Sequence, residues 1–207
     1  MEYTEKYTEN LRDGKEFEDY CYRWLEFEKR TRIEACKDKQ TQIQVGENYF
    51  GIEFKLDRNF RKTGNLYIEL KERSSSRFNY TEAGIYRKDN TFLYAIGDWE
   101  TLYVFDKKRL QNYHQWSSNP KNHAASQHRQ VTTETSIGWL LPVTTVIEKH
   151  LTADIWSLYK VSTEQINKSR GFVLPTQRKR RKHTAEQYPE LFPDLSPELS
   201  KQLTLDC

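Results

Sequence analysis

Apolar and charged positions alternate most regularly in two short stretches within the first third of the chain. In residues 50–57 (FGIEFKLD), Ile52, Phe54 and Leu56 share one parity and Glu53, Lys55 and Asp57 the other. In residues 66–72 (LYIELKE), Leu66, Ile68 and Leu70 oppose Tyr67, Glu69 and Lys71. A period of two is the pattern of a half-buried strand. The polar residues 58–65 (RNFRKTGN) end in Gly-Asn, so the simplest reading joins the two strands as an antiparallel hairpin. Ahead of them, Phe17, Cys21, Trp24 and Leu25 recur at three- and four-residue spacing among charges, which predicts an amphipathic helix over residues 16–34.

Further along, the apolar runs TFLYAIG (91–97) and TLYVF (101–105) predict a second hairpin turning on Asp98, Trp99 and Glu100. Asp106 is placed to cap a short helix over residues 107–113. Residues 73–90 and 114–136 are polar and read as loop or irregular chain. Residues 137–146 (IGWLLPVTTV) suggest a strand followed by a helix, and residues 153–161 a last amphipathic helix. The expected unit is one domain over residues 1–171, of mixed α/β class, followed by a tail over residues 172–207.

Composition adjusts this picture only slightly. A chain of 207 residues can bury a core without a disulfide or a structural metal, and 14% aromatic residues point to an aromatic-rich one. Cys21, Cys36 and Cys207 are odd in number and lack zinc or redox spacing, so a reducing, cytoplasmic compartment is expected. The N-terminal residues MEYTEKYTEN are unlike a secretory signal, and no apolar run approaches membrane-spanning length. A net charge of +3 is too small to announce a polyanion partner by itself.

Parity matters more. If the first two strands pair with their Leu, Ile and Phe residues toward the core, Glu53, Lys55, Asp57, Glu69 and Lys71 share the opposite face. Three carboxylates and two lysines would then lie within about 10 Å. Phosphodiester hydrolysis needs such a set: carboxylates to hold a hard cation that keeps some of its waters, and a lysine to orient the attacking water or to stabilise developing charge. The bland alternative is a solvated face of alternating charges, worth little energetically.

An acid at the end of one strand followed by Glu-x-Lys on its neighbour resembles the PD-(D/E)XK nuclease superfamily. Asp57 with Glu69-Leu70-Lys71 carries that order, and GENYFGIEFKLD and TGNLYIELKER look similar to phage and mobile-element proteins placed in it. The resemblance covers residues 16–113 and lacks the proline before Asp57. It implies a restriction-endonuclease-like core, a mixed central sheet flanked by helices, and a Mg2+- or Mn2+-dependent endonuclease acting on DNA. In that reading Asp57 and Glu69 hold the metal, Lys71 orients water, Glu53 and Lys55 support them, and Glu18 of the preceding helix is a further ligand. Glu53-Phe54-Lys55 is itself Glu-x-Lys and offers a second signature, with an acid such as Asp38 ahead of it. The alternative function is a catalytically idle module of the same fold that binds nucleic acid or protein.

His114, His123 and His128 fall in a polar stretch without the spacing of a metal site, and read as surface residues. Tyr80, Tyr86, Trp99 and Trp116 could stack on bases, but core packing explains most such residues. In the tail, Arg178, Lys179, Arg180, Arg181 and Lys182 form an unbroken basic run suited to phosphate contacts. After it, Pro189, Pro193 and Pro197 are each followed by an acid and Leu, the pattern of a partly disordered tail that docks a protein partner. Nucleases of this type often act as homodimers; the sequence shows no interface.

Overall fold

The computed structural model describes residues 2–36, 38, 40–42, 46–122 and 128–169. The tail with its basic run and proline repeats, and His123, lie outside the described residues. The architecture is mixed α/β, with two four-stranded sheets and helices around them.

Helix α1 (Glu2–Glu28) begins well before the expected start and stops six residues short of the expected end. Its stop lies in the backbone: Arg30 takes a left-handed φ of 55°, and the N–H groups of Lys29 and Thr31 both turn back to the Leu25 carbonyl. The charged residues Glu28, Lys29 and Arg30 carry no sequence signal of that break.

The first sheet has the order β1-β4-β5-β8, with β1 (Ile52–Leu56), β4 (Leu93–Gly97), β5 (Thr101–Asp106) and β8 (Asp154–Ser157). Strands β4 and β5 form the expected hairpin, and β1 lies parallel to β4. The second sheet has the order β3-β2-β7-β6, all antiparallel, with β2 (Asn65–Glu72), β3 (Thr81–Glu82), β6 (Arg129–Thr132) and β7 (Ser136–Pro142). Short helices complete it: α2 (Phe60–Thr63), α3 (Lys107–Ser118), α4 (Val143–Glu148) and α5 (Thr163–Ser169). No described helix is long and apolar enough to cross a membrane.

Two cores sandwich the first sheet. Phe17, Cys21, Trp24 and Leu25 of α1 pack on Ile52, Phe54, Leu93, Ala95, Leu102, Val104 and Trp156. On its other face Tyr94, Ile96, Tyr103 and Phe105 meet Leu66, Ile68, Leu70, Trp139 and Leu141 of the second sheet. Being covered on both sides explains why β4 and β5 read as unbroken apolar runs. In β1 the same alternation sends Ile52 and Phe54 toward α1, and Glu53 and Lys55 toward the face shared with Tyr94 and Ile96.

Four expectations are corrected. The β1–β2 hairpin does not form, and the two strands belong to different sheets. The connection is not an open loop: helix α2 buries Phe60 edge-on against Tyr103, and Gly64 at φ 71° releases the chain toward β7. Residues 153–161 hold strand β8 rather than a helix, because Trp156 goes to the core while Ile155 and Ser157 stay exposed. The segment 114–136 is more regular than expected. Helix α3, capped by Asp106 accepting from the Arg109 N–H, continues to Ser118, and β6 follows.

A candidate acidic site around Lys55

The turn into β1 sets the site. Gly46 and Gly51 both have positive φ (93° and 77°) and bracket Glu47 and Asn48. Asn48 is buried, and its side-chain carbonyl accepts the N–H groups of Phe50 and Ile52. Its amide donates to the Ile52 carbonyl and to the Tyr22 hydroxyl at 3.3 Å. Tyr22 in turn donates to Glu18 Oε1 at 2.9 Å. One asparagine thus fixes β1 against α1 and, through Tyr22, holds the helix's Glu18, which lies beside Glu47 and within the field of Lys55.

Lys55 is the centre of the cluster. Its Nζ lies 2.9 Å from Glu53 Oε1, 3.5 Å from Glu47 Oε1 and 3.9 Å from Glu69 Oε2. Arg87 supplies a second cation, 3.7 Å from Glu47 and 3.4 Å from Glu72. Five acids (Glu18, Glu47, Glu53, Glu69 and Glu72) therefore face two bases from four separate stretches of chain. The Glu53 side chain is 1% exposed; its Oε1 has only the off-angle Lys55 ammonium and its Oε2 has no hydrogen-bond partner.

The protonation states follow from this crowding. Burial, reinforced by the Glu47 carboxylate, pushes Glu18 up to about 8. Burial also raises Glu69, against the pull of Lys55. Glu53 would likewise rise through burial, but Lys55 and Arg87 outweigh that and hold it below its ordinary value. Burial works against the Lys55 ammonium, yet Glu47, Glu53 and Glu69 together keep its pKa well above normal. Tyr94, fully buried beside Glu53, is pushed upward by burial first and that carboxylate second. As it stands, Lys55 is a fixed cation and Glu18 the group that titrates near neutrality.

Such a donor set suits a hard divalent cation: all its ligating atoms are carboxylate oxygens, one of them orphaned, and one carboxyl holds its proton through burial and the neighbouring Glu47 carboxylate. Among the described residues no three His, Cys, Asp or Glu are spaced as a ready metal cage. The carboxylates close on the Lys55 ammonium instead.

The other expected site residues do not join the ion pairs around Lys55. Asp57 is buried at the end of β1, where Oδ1 accepts the Asn59 N–H at 2.9 Å and Oδ2 the Tyr67 N–H at 2.8 Å. It joins β1 to β2 by a side chain where the expected hairpin had backbone pairs. Asp57→Ala is expected to cost about 2–3 kcal/mol by stranding those donors, read as a lower urea midpoint. Lys71 is exposed opposite Glu82 and makes no ion pair among the described residues. The register of β2 against β7 shifts between Glu69 and Lys71, which breaks the regular alternation there. Asp38 is exposed and caps Thr41 through both its oxygens.

His114 and His128 are not simple surface residues. Both pack on the Trp139 ring, and the Tyr86 hydroxyl meets His114 Nδ1 at 2.7 Å. Burial, with His128 beside it, lowers His114 to about 4, so its imidazole is neutral at physiological pH. Tyr22, Glu47, Asn48 and Arg87 escaped sequence reasoning. Only the Gly46-Glu47-Asn48 turn carried a local signal, an asparagine where a tight turn needs one. Comparison with protein-family models, curated proteins and solved structures found no match for the chain.

Proposed function

We propose that the chain is a metal-dependent endonuclease of the restriction-endonuclease-like kind, acting on DNA, with Glu53-Phe54-Lys55 as its signature. The observation that carries this reading is the ring of three carboxylates, from β1, β2 and the turn before β1, closed around one lysine. Glu18, reaching the same cluster from α1, supplies the helix acid that the resemblance implies. The preceding helix, the mixed sheet and a Glu-x-Lys strand also agree with that resemblance.

Glu47, Glu53 and Glu69 would hold the cation, and Glu18 would complete the set once its proton is released. A bound magnesium or manganese ion supplies charge stabilisation at the phosphate and a more acidic coordinated water. Lys55, freed from part of its carboxylate ring, stabilises charge on the phosphate oxygen through its Nζ. The raised pKa of Glu18 belongs to the metal-free cluster, and a bound cation would hold its carboxyl ionised. Lys71 and Asp57 have no role at the reacting atoms.

Plasmid cleavage with magnesium or manganese tests this. Wild-type protein is expected to nick or linearise DNA and to stop in EDTA. Glu53→Gln is expected to lose at least about 100-fold, as removal of charge-stabilising groups commonly does, while Lys71→Ala keeps full activity. Cleavage retained by folded Glu53→Gln, or none by wild type on plasmid, single-stranded DNA or RNA, would sink the proposal.

A further inference from the structure

We propose that the loop of residues 73–80 is a stacking element for unpaired nucleic-acid bases, with Phe78 as its ring. The ligand class rests on the nuclease reading, and the binding itself is independent of catalysis.

The loop leaves the end of β2 and is braced from within. Arg73 Nε donates to the Glu134 carbonyl at 2.6 Å, and its Nη1 reaches the carbonyls of Ser76 and Phe78 at 3.4 Å. The same guanidinium lies 4.2 Å over the Tyr80 ring, whose hydroxyl donates to the Thr133 carbonyl. The Phe78 N–H closes a turn on the Ser75 carbonyl. Both ends of the loop are thus tied to the β6–β7 turn. A loop so held has little conformational freedom left to lose on binding.

What it displays is unusual for a surface. Phe78 is 61% exposed, the largest exposure among the large apolar residues described, and it has no ring partner among them. Its surroundings are basic. Arg77 adjoins it in the chain, and the Arg73 guanidinium reaches its carbonyl, while the nearby Glu72 and Glu82 carboxylates are paired with Arg87 and Lys88. An exposed phenyl ring in a basic setting fits a polyanion that offers flat, unstacked faces. That is the chemistry of nucleic acid with unpaired bases. A duplex offers its charge but hides its faces.

Fluorescence anisotropy in EDTA, with a dye-labelled oligothymidine and a duplex of equal length, tests this without catalysis. Phe78→Ala is expected to weaken single-strand binding about ten-fold, leave duplex binding unchanged and leave the melting temperature unchanged. Phe78→Trp should retain tight single-strand binding, and Arg77→Ala should flatten the salt dependence on both ligands. Wild-type protein binding neither ligand, Phe78→Ala binding single strands like wild type, or equal losses on both ligands would overturn the proposal. Single-strand binding through Phe78 in a protein that cuts nothing would end the nuclease reading alone. Metal-dependent cleavage by a protein indifferent to Phe78 would do the reverse.

Discussion

Lys55→Met is expected to lower stability by about 3–5 kcal/mol near neutral pH, the usual consequence of removing one partner from a buried ion pair. The cause is what remains: Glu47, Glu53 and Glu69 would face one another with Arg87 as their main cation. Without the ammonium, the folded-state pKa of Glu53 and Glu69 rises above the unfolded value. Stability is then present at low pH and is lost as pH rises through the raised values. The deficit in the variant should therefore be small near about pH 4 and largest above about pH 7. Magnesium should recover part of the loss at neutral pH, since a cation bound by the folded state alone stabilises it by mass action. Urea titrations across pH, with and without magnesium, read all of this. An equal deficit at every pH would mean that Lys55 serves by packing its stem, and the electrostatic account of the cluster would fall.

The second large effect is a pH dependence carried by Glu18. Its folded pKa of about 8 stands well above the ordinary 4.5, so between those values the native state holds a proton that the unfolded state has released. Stability contributed by that proton is fully present at low pH and is lost as pH rises toward 8 and beyond. The partly exposed, coupled carboxyl should account for about 2 kcal/mol after discounting for solvent screening. Glu18→Gln keeps a neutral partner for the Tyr22 hydroxyl and removes the titration. It is expected to match wild type near about pH 5 and to exceed it near about pH 9. Parallel stability curves for the two proteins would show that Glu18 does not titrate in this range.

Much of the fold was legible because it is local. The β4–β5 hairpin, the Asp106 cap and the strand-then-helix at Ser136–Glu148 each announce themselves within a dozen residues. The face of each strand was equally legible: Glu53 and Lys55 do share the side away from α1. Pairing was not. A period of two states which side a residue faces and says nothing about which strand lies next to it. Asp57 shows the difference, since its carboxylate meets Tyr67 of β2 just where a hairpin register would have put a backbone carbonyl. Two Glu-x-Lys stretches were indistinguishable as strings. Only the sheets separate them, by enclosing Lys55 and leaving Lys71 in water. Glu47 and Arg87, forty residues apart, meet through the arrangement of the sheets, so no window along the chain could have joined them.

The parallel pairing of β1 with β4 also bears on how the chain is made. Ile52 pairs with Leu93, and everything between them, including all of β2 and β3, must leave the ribosome before that ladder can zip. Meanwhile Ile52, Phe54 and Leu56 form an unclaimed, adhesive strand, the kind that invites other chains to add to it. Glu53 and Lys55 interrupt that strand at every second position, as gatekeeping charges do. The charged side chains gathered in this cluster would thus keep the nascent protein from aggregating until β4 arrives, and replacing both with apolar residues would lower the yield at synthesis.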